Sequence, residues 1–401
     1  MSSTKRSCPS TIPTVCPPSP AETAGPADRP TAGAAIDPVI TAEQAVLGAL
    51  LLAPERLADV RAIVTESDFY RPAHAALYRA ICRSPIPGAP SRGLTAARLL
   101  DTITRTEAHA AGITAVYAHT LISACPHPEH AAPYARIVAE ASANRSIREH
   151  AVRLGQVART DIEHGGITET LRHLDALHAG LDRLRTDRRF GNRTTTRPPS
   201  PGRYAAPEHI STTTDMAALT EEETVLRGIA ADPEQLDNIE SWFSADDFIR
   251  REHAALYTHM RELRHRGDPV DHITATWEAH RNDNLNDNGL DADSIRSLLN
   301  HGCGSAVPYA ARQVLRRGLL RHAHHAARAT AALAAPQRHH PHDLVAAARR
   351  LLHPVVLTRR RWGAAAGDPG PAARNRPNQR GPNQNPPAVL ITTPTSPHAR
   401  R

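Results

Sequence analysis

The stretch Asp68-Phe69-Tyr70-Arg71-Pro72-Ala73-His74-Ala75-Ala76-Leu77-Tyr78 recurs as Asp247-Phe248-Ile249-Arg250-Arg251-Glu252-His253-Ala254-Ala255-Leu256-Tyr257. The copies lie 179 positions apart, and the offset holds without a gap from the Glu43/Glu222 pair to the Tyr78/Tyr257 pair. Fourteen of these 36 aligned pairs are identical, whereas chance would give about one pair in fifteen. The identical pairs have as first-copy members Glu43, Val46, Leu47, Pro54, Glu55, Leu57, Asp68, Phe69, Arg71, His74, Ala75, Ala76, Leu77 and Tyr78. The chain therefore contains a duplicated module.

The composition predicts packed helical modules separated by disordered segments. The apolar fraction is 40%, below the usual range of about 45–50%, and mean hydropathy is −0.43. The 34 prolines concentrate at both ends and in the middle of the chain. Aromatic residues make up only 3%, so the cores must be built from Ala, Leu, Ile and Val.

Charge and cysteine content indicate a cytoplasmic protein that can meet a polyanion. The net charge is +7 and the pI about 9.5, which is compatible with a nucleic-acid partner. Five cysteines without paired spacing favour a reducing compartment over a disulfide framework. No apolar run is long enough for a signal peptide or a membrane span, so we expect a cytoplasmic protein that does not enter a membrane.

Apolar residues at helical spacing predict an all-α fold of two tandem helical bundles, each ending in a helical hairpin. Helix starts are predicted at the capping boxes Thr41–Gln44 and Thr220–Glu223. The long last helices are expected to follow Tyr134 and Tyr309. The predicted module core consists of Val46, Leu47, Leu50, Phe69, Leu77, Tyr78, Val225, Leu226, Phe248, Leu256 and Tyr257.

Composition shifts divide the chain into five parts. Residues 1–38 are predicted to be disordered, and 39–185 form module 1. A Pro/Thr/Arg linker spans 186–216, and 217–355 form the more divergent module 2. Residues 356–401 are predicted to be a disordered basic tail.

The run Glu43-Gln44-Ala45-Val46-Leu47-Gly48-Ala49-Leu50-Leu51, followed by Asp68–His74, resembles the N-terminal domain of bacterial replicative helicases of the DnaB type. Gly267-Asp268-Pro269-Val270-Asp271 with Thr274, and Tyr134–Val138, resemble two further stretches of that family. The resemblance implies a helical collar domain whose copies pair through their hairpins, sit on a hexameric motor and receive primase. The partners it implies are a replicative helicase, primase or both, together with self-association of the modules.

The resemblance does not extend to the family's ATPase motor. A Walker A loop needs a lysine at the nucleotide phosphates, and the sequence contains a single lysine, Lys5. We therefore expect no helicase or ATPase activity from this chain, no catalytic residue and no cofactor. A family name such as replicative DNA helicase would not by itself imply activity.

Two groups of residues suggest a site, and each has a simpler interpretation. His74 and His253 occupy equivalent positions, but a catalytic base needs an orienting carboxylate and a cleft, so we interpret them as structural. Cys125, His127, Glu129 and His130 supply zinc-type donors, yet module 2 offers only His301 and Cys303, so no metal site is predicted.

The expected mode of action is protein–protein interaction through the hairpins. Its candidate interface residues are Tyr134, Arg136, Ile137, Tyr309, Arg312 and Leu315. The alternative is an arginine-rich accessory protein that binds nucleic acid weakly by charge. Its candidate phosphate contacts are Arg316, Arg317, Arg321, Arg359, Arg360 and Arg361. A vestigial helicase fragment without a retained partner is a further alternative.

Overall fold

The computed structural model describes residues 37–83, 114–190, 214–282, 290–300, 306–336 and 339–367. Within these ranges the chain forms thirteen α-helices and five short 3-10 turns, and it contains no strand. The predicted all-α fold is therefore confirmed. No helix in the described ranges is long and apolar enough to cross a membrane.

Module 1 is a bundle of four short helices closed by a long helical hairpin. Its helices are α1 (Pro38–Leu52), α2 (Leu57–Arg61), α3 (Pro72–Arg83), α4 (Ala115–Ser123), α5 (Ala131–His164) and α6 (Thr168–Thr186). The hairpin turns at Gly165, whose φ of 81° is a left-handed conformation that glycine adopts without a Cβ penalty. Asp161 then secures the start of α6, because its carboxylate accepts bonds from the backbone N–H and hydroxyl of Thr170 at 3.0 and 2.7 Å.

Module 2 repeats this order with one additional described helix. Its helices are α7 (Thr214–Ala231), α8 (Gln235–Ile239), α9 (Arg251–Arg266), α10 (His272–Arg281), α11 (Ala292–Leu299), α12 (Val307–Ala334) and α13 (Pro341–Ala365). The segment of module 1 that would correspond to α10 lies outside the described residues. All eleven residues of the predicted module core are buried, in one apolar cluster per module.

The first helix of each module begins earlier than the sequence predicts. Asp37 caps α1, with its carboxylate accepting from the Val39 N–H at 2.9 Å, and Pro38 occupies the favoured first position. The hydroxyl of Thr41 instead donates to the Asp37 carbonyl, and Thr220 lies inside α7 and donates to the Met216 carbonyl. Both predicted capping boxes are therefore wrong, because an Asp–Pro pair upstream starts α1 and α7 already extends from Thr214.

The module boundaries also shift outward. A 3-10 turn at Arg188–Phe190 still packs on module 1, with Phe190 buried in its core, so the predicted linker begins too early. Helix α13 continues to Ala365, so residues 356–365 are helical and not part of a disordered tail. The reason is tertiary, since Val355 and Thr358 are buried on the inner face of this helix. The remaining segments predicted as disordered lie largely outside the described residues.

A close contact between α1 and α4 explains one difference between the copies. A Cβ on Gly48 would overlap the backbone carbonyl of Leu121, so α4 can approach α1 only over a glycine. The aligned residue in module 2 is Arg227, whose Nε donates to the Leu298 carbonyl at 3.2 Å. The arginine thus binds the carbonyl at the corresponding position of α11.

Candidate functional site

The two helical hairpins pack against each other along a shared apolar cluster. Module 1 contributes Ile147, Leu154, Ala158, Leu174, Leu177 and Leu181. Module 2 contributes Leu319, Ala323, Ala326, Ala327, Leu333, Ala334, Leu344, Val345, Ala347, Ala348, Leu352 and Val355. Small residues bring α5 close to α12, since a Cβ on Gly155 would lie only 3.5 Å from that of Ala327. The hairpins therefore form one packed body.

Polar contacts at the ends of the hairpins set the direction of this pairing. The amide of Asn144, near the start of α5, donates to the His339 carbonyl before α13 at 2.9 Å. Further along α5, His324 donates to the Gly155 carbonyl at 3.0 Å, and Arg316 reaches the Gly165 carbonyl at the hairpin turn. Later residues of α5 therefore contact earlier residues of module 2, so α5 and α12 run antiparallel.

Two ion pairs join the outer helices of the hairpins. The guanidinium of Arg359 on α13 contacts both carboxylate oxygens of Asp175 on α6, with Nη2 to Oδ2 at 2.9 Å. Arg349 contacts Asp182, which lies about two turns further along α6. All four side chains are substantially exposed, so each pair contributes little stability and serves mainly to align α13 with α6.

In each module an arginine at or just after the end of the hairpin binds the aspartate of the Asp-Phe turn. Arg189 Nη1 lies 3.0 Å from Asp68 Oδ2, and Arg361 Nη2 lies 2.9 Å from Asp247 Oδ1. Burial raises the pKa of the Asp247 carboxyl, and the Arg361 guanidinium opposes that rise by stabilising the charged form. These pairs tie the end of each hairpin to its own module.

A second arginine, at similar positions in the two modules, donates from its side chain to a backbone carbonyl of the same turn. Arg145 Nη2 donates to the Asp68 carbonyl at 2.8 Å, and Arg321 Nη2 donates to the Asp247 carbonyl at 2.7 Å. These arginines lie 176 positions apart, close to the repeat offset. They attach the long hairpin helix to the turn in both modules.

Five of the six candidate phosphate contacts have partners within the protein. Arg321 and Arg361 bind the Asp247 turn, Arg359 binds Asp175 and Arg316 binds Gly165. Arg317 forms an ion pair with Glu221 at 2.8 Å. Arg360 is exposed. Three of these contacts lie within module 2, and those of Arg316 and Arg359 join the two hairpins.

The candidate interface residues are divided between core and surface. Tyr134 is half-buried against the core of module 1, and Leu315 is fully buried in the core of module 2. The exposed members are Arg136, Ile137, Tyr309 and Arg312. The hairpin contacts lie further along the helices, so the interface prediction was wrong for Leu315. The spacing of Leu174, Leu177 and Leu181 is the sequence signal that identifies the observed contact surface.

The equivalent histidines lie in buried networks. His74 Nδ1 lies 2.7 Å from the Glu43 carboxylate and its Nε2 lies 2.7 Å from the Tyr117 hydroxyl. The Glu43 carboxylate also accepts from the backbone N–H of Tyr70 and Arg71. Since His74 and Glu43 are fully buried, no substrate can reach them, and the carboxylate joins α1 to α3.

Module 2 repeats this network. His253 Nδ1 lies 2.8 Å from Glu222, which accepts from the N–H groups of Ile249 and Arg250. The sequence analysis did not predict the glutamate partner. The signal that points to it is that Glu43 and Glu222 are identical in the two copies although each lies beside the apolar stripe of its helix.

The residues weighed as zinc ligands do not form a cluster. Cys125 is buried, and burial raises the pKa of its thiol. His127 pairs with Glu129 at 3.2 Å on the surface. No group of three or more potential ligands is positioned for a metal within the described residues, and His301 and Cys303 lie outside them.

The sequence matches a known protein family in the same two regions. A model of the DnaB-like helicase N terminal domain matches residues 37–140 and again 215–315. The replicative DNA helicase DnaB of Mycobacterium leprae is 38% identical over 132 residues, covering 33% of this chain and 21% of that protein. Its namesake from Leifsonia xyli is 36% identical over 118 residues, covering 29% and 25% respectively.

The replicative DNA helicase DnaB of Geobacillus stearothermophilus is 35% identical over 117 residues, again covering 29% and 25%. The chain thus spans a quarter or less of the length of these relatives. The predicted resemblance is confirmed, and together the two matched segments account for half of the sequence. The chain belongs to the family defined by the DnaB-like helicase N terminal domain.

Proposed function

We propose that this protein is a non-catalytic, replication-associated interaction protein whose two helicase-collar modules pair with each other within one chain. The proposed partners are a replicative helicase and primase. The observation that carries this proposal is the apolar cluster shared by the hairpins α5–α6 and α12–α13. The family resemblance implies pairing of separate collar domains through such hairpins, and here both hairpins belong to the same chain.

The composition of the cluster supports a lasting pairing. Leu154, Leu177, Leu319 and Leu344 are completely buried in it. Burying a leucine side chain contributes roughly 1.5–3 kcal/mol, so several such residues outweigh the cost of fixing one module against the other. A surface made this way would expose large apolar area if the modules separated.

The non-catalytic part of the proposal rests on chemistry. The 401 residues include one lysine, Lys5, so they supply no P-loop lysine for nucleotide phosphates. The two charged pairs with repeated buried geometry, Glu43–His74 and Glu222–His253, are inaccessible to substrate. The candidate sites that remain lie on the protein surface, where they can bind other macromolecules.

Light scattering on a sizing column tests the proposal. The protein should elute as a 43.4 kDa monomer and co-elute with purified replicative helicase or primase of the same organism. A variant with Leu177→Asp and Leu344→Asp buries two unpaired charges in the cluster and should lose the partner together with the pairing. Failure of the wild-type protein to bind either partner would reject the proposal.

The structure gives the nucleic-acid alternative no specific support. Most of the arginines on which it was based are bound to carboxylates and carbonyls in the protein. The same column experiment with a single-stranded oligonucleotide distinguishes the two functions.

A further inference from the structure

Module 1 contains a surface groove that its pairing with module 2 leaves open. The groove has a volume of about 500 Å³ and lies between the start of α1, the Asp-Phe turn and the outer face of α5. An adjoining groove of about 570 Å³ shares Arg145, Glu149 and His150 with it and extends towards the end of α6. A volume of this size accommodates several side chains of a bound segment.

The groove presents cations that have no carboxylate partner among the described residues. Arg148 and Arg153 line it, are exposed, and form no ion pair with any described residue. The pKa of His150, between them on α5, is lowered by burial first and then by Arg183 and Arg153. An arrangement in which neighbouring cations repel one another favours a ligand that brings negative charge.

The groove also presents apolar surface beside these charges. Tyr70 is 58% exposed and Val152 is 40% exposed, both large values for apolar side chains. The guanidinium of Arg145 lies 5.4 Å from the centre of the Tyr70 ring, which holds one face of the ring in place. The rest of the ring is available to an apolar side chain of a ligand.

We propose that this groove binds an acidic segment of a partner protein, with carboxylates at Arg148 and Arg153 and an apolar side chain against Tyr70 and Val152. This inference rests on the proposed function, which supplies the class of partner. The groove is the surface on which that partner would dock. A protein segment fits better than a nucleic acid because Glu149 lies among the arginines. A carboxylate there repels a phosphate backbone, whereas a peptide can place a neutral or basic residue beside it.

Module 2 lacks these features, so each chain should bind one segment. Tyr70 aligns with Ile249 in the repeat, and Arg153 aligns with the buried Ala329 at the offset set by Arg145 and Arg321. Arg148 aligns with His324, whose ring is bound to the Gly155 carbonyl of module 1. The two halves of the pair are therefore unequal on this face.

The probe is a phage-displayed library of random 12-residue peptides panned on the full-length protein, with counter-selection on the Arg148→Glu/Arg153→Glu variant. Recovered peptides, made synthetically with a fluorophore, are measured by anisotropy. We expect acidic peptides with an aromatic or large aliphatic residue, bound about tenfold more weakly by Arg148→Glu/Arg153→Glu and more weakly in high salt. Tyr70→Ala should also weaken them.

A matched control separates the groove from net charge. Arg56→Glu/Arg251→Glu makes the same change in charge at exposed positions outside both grooves and should leave the affinity unchanged. Circular dichroism checks that both double variants fold. Peptides without an acidic bias, or equal weakening in both variants, would overturn the proposal. So would an oligothymidine probe that outbinds the peptides and depends on Arg148 and Arg153.

The two proposals can fail separately. If the Arg148→Glu/Arg153→Glu protein still co-elutes with helicase or primase, the groove is not the docking surface but the proposed function stands. If the wild-type protein binds the acidic peptides but neither replication protein, the groove stands and the proposed function fails.

Discussion

Replacing Leu154 with alanine should destabilise module 2, although Leu154 belongs to module 1. Its side chain is completely buried in the cluster shared by the hairpins. Truncating a buried leucine to alanine costs about 2–5 kcal/mol, because the lost burial is compounded by the cavity that remains. At a typical slope of about 5 kcal/mol per molar in guanidinium chloride, a cost near 3 kcal/mol lowers the unfolding midpoint by about 0.6 M.

The distribution of tryptophan makes this effect measurable. Trp242, Trp277 and Trp362 are the protein's three tryptophans, and all lie in module 2. Trp362 packs against both the core of module 2 and the shared cluster. Tryptophan fluorescence therefore follows module 2, while circular dichroism at 222 nm follows the helices of both modules.

The expected result is that Leu154→Ala shifts the fluorescence and dichroism midpoints together. Leu52→Ala is the matched control, because Leu52 is 45% exposed on α1 and its truncation should cost well under 1 kcal/mol. A fluorescence midpoint that stays at the wild-type value while dichroism reports a weakened module 1 would refute energetic coupling between the hairpins. The proposed pairing would then fall with it.

Three further changes test other parts of the structure. Gly48→Ala should destabilise the protein by about 3 kcal/mol in thermal or chemical unfolding, because the new Cβ overlaps a backbone carbonyl of α4 that cannot move independently. Burial, followed by nearby guanidinium groups, lowers the pKa of His322 to about 4 from an ordinary value of 6.5. The unfolded chain therefore binds the extra proton, and the free energy of unfolding should fall by about 3 kcal/mol between pH 6.5 and 4, a loss that His322→Gln should reduce in urea titrations. Arg361→Ala should cost about 3–5 kcal/mol by leaving the Asp247 carboxylate buried without its partner, whereas Arg360→Ala at the exposed neighbouring position should change the melting temperature little.

Much of the fold follows from local sequence patterns. Apolar residues at helical spacing placed α1, α3, α9 and the two hairpins, since a helix must bury its apolar stripe wherever the chain turns next. The ends of helices were harder to predict. Thr41 is a residue type that often caps a helix, yet Asp37 and Pro38 start α1 one turn earlier. Both helix-start signals fall within five residues, so the sequence does not decide between them.

The partners of the arginines could not be inferred from local patterns. Arg359 and Arg361 lie in a basic run that is typical of a solvated tail or a phosphate-binding surface. Their actual partners, Asp175 and Asp247, are 184 and 114 residues away in the chain. Only the packing of α13 against α6 and the Asp-Phe turn brings these charges together.

The identity between the two copies carried information that composition did not. Six of the fourteen identical pairs are buried apolar core residues, whereas Glu43, Asp68 and His74 are charged or polar and still retained. Each of them is buried and hydrogen-bonded, either to backbone N–H groups or to another retained side chain. A buried carboxylate that satisfies backbone donors cannot be replaced by an apolar residue without leaving those donors unpaired, at a cost of about 1–3 kcal/mol each. Divergence between the copies is therefore tolerated at positions such as Tyr70, whose side chain is largely exposed, and this is where the two modules present different side chains to solvent.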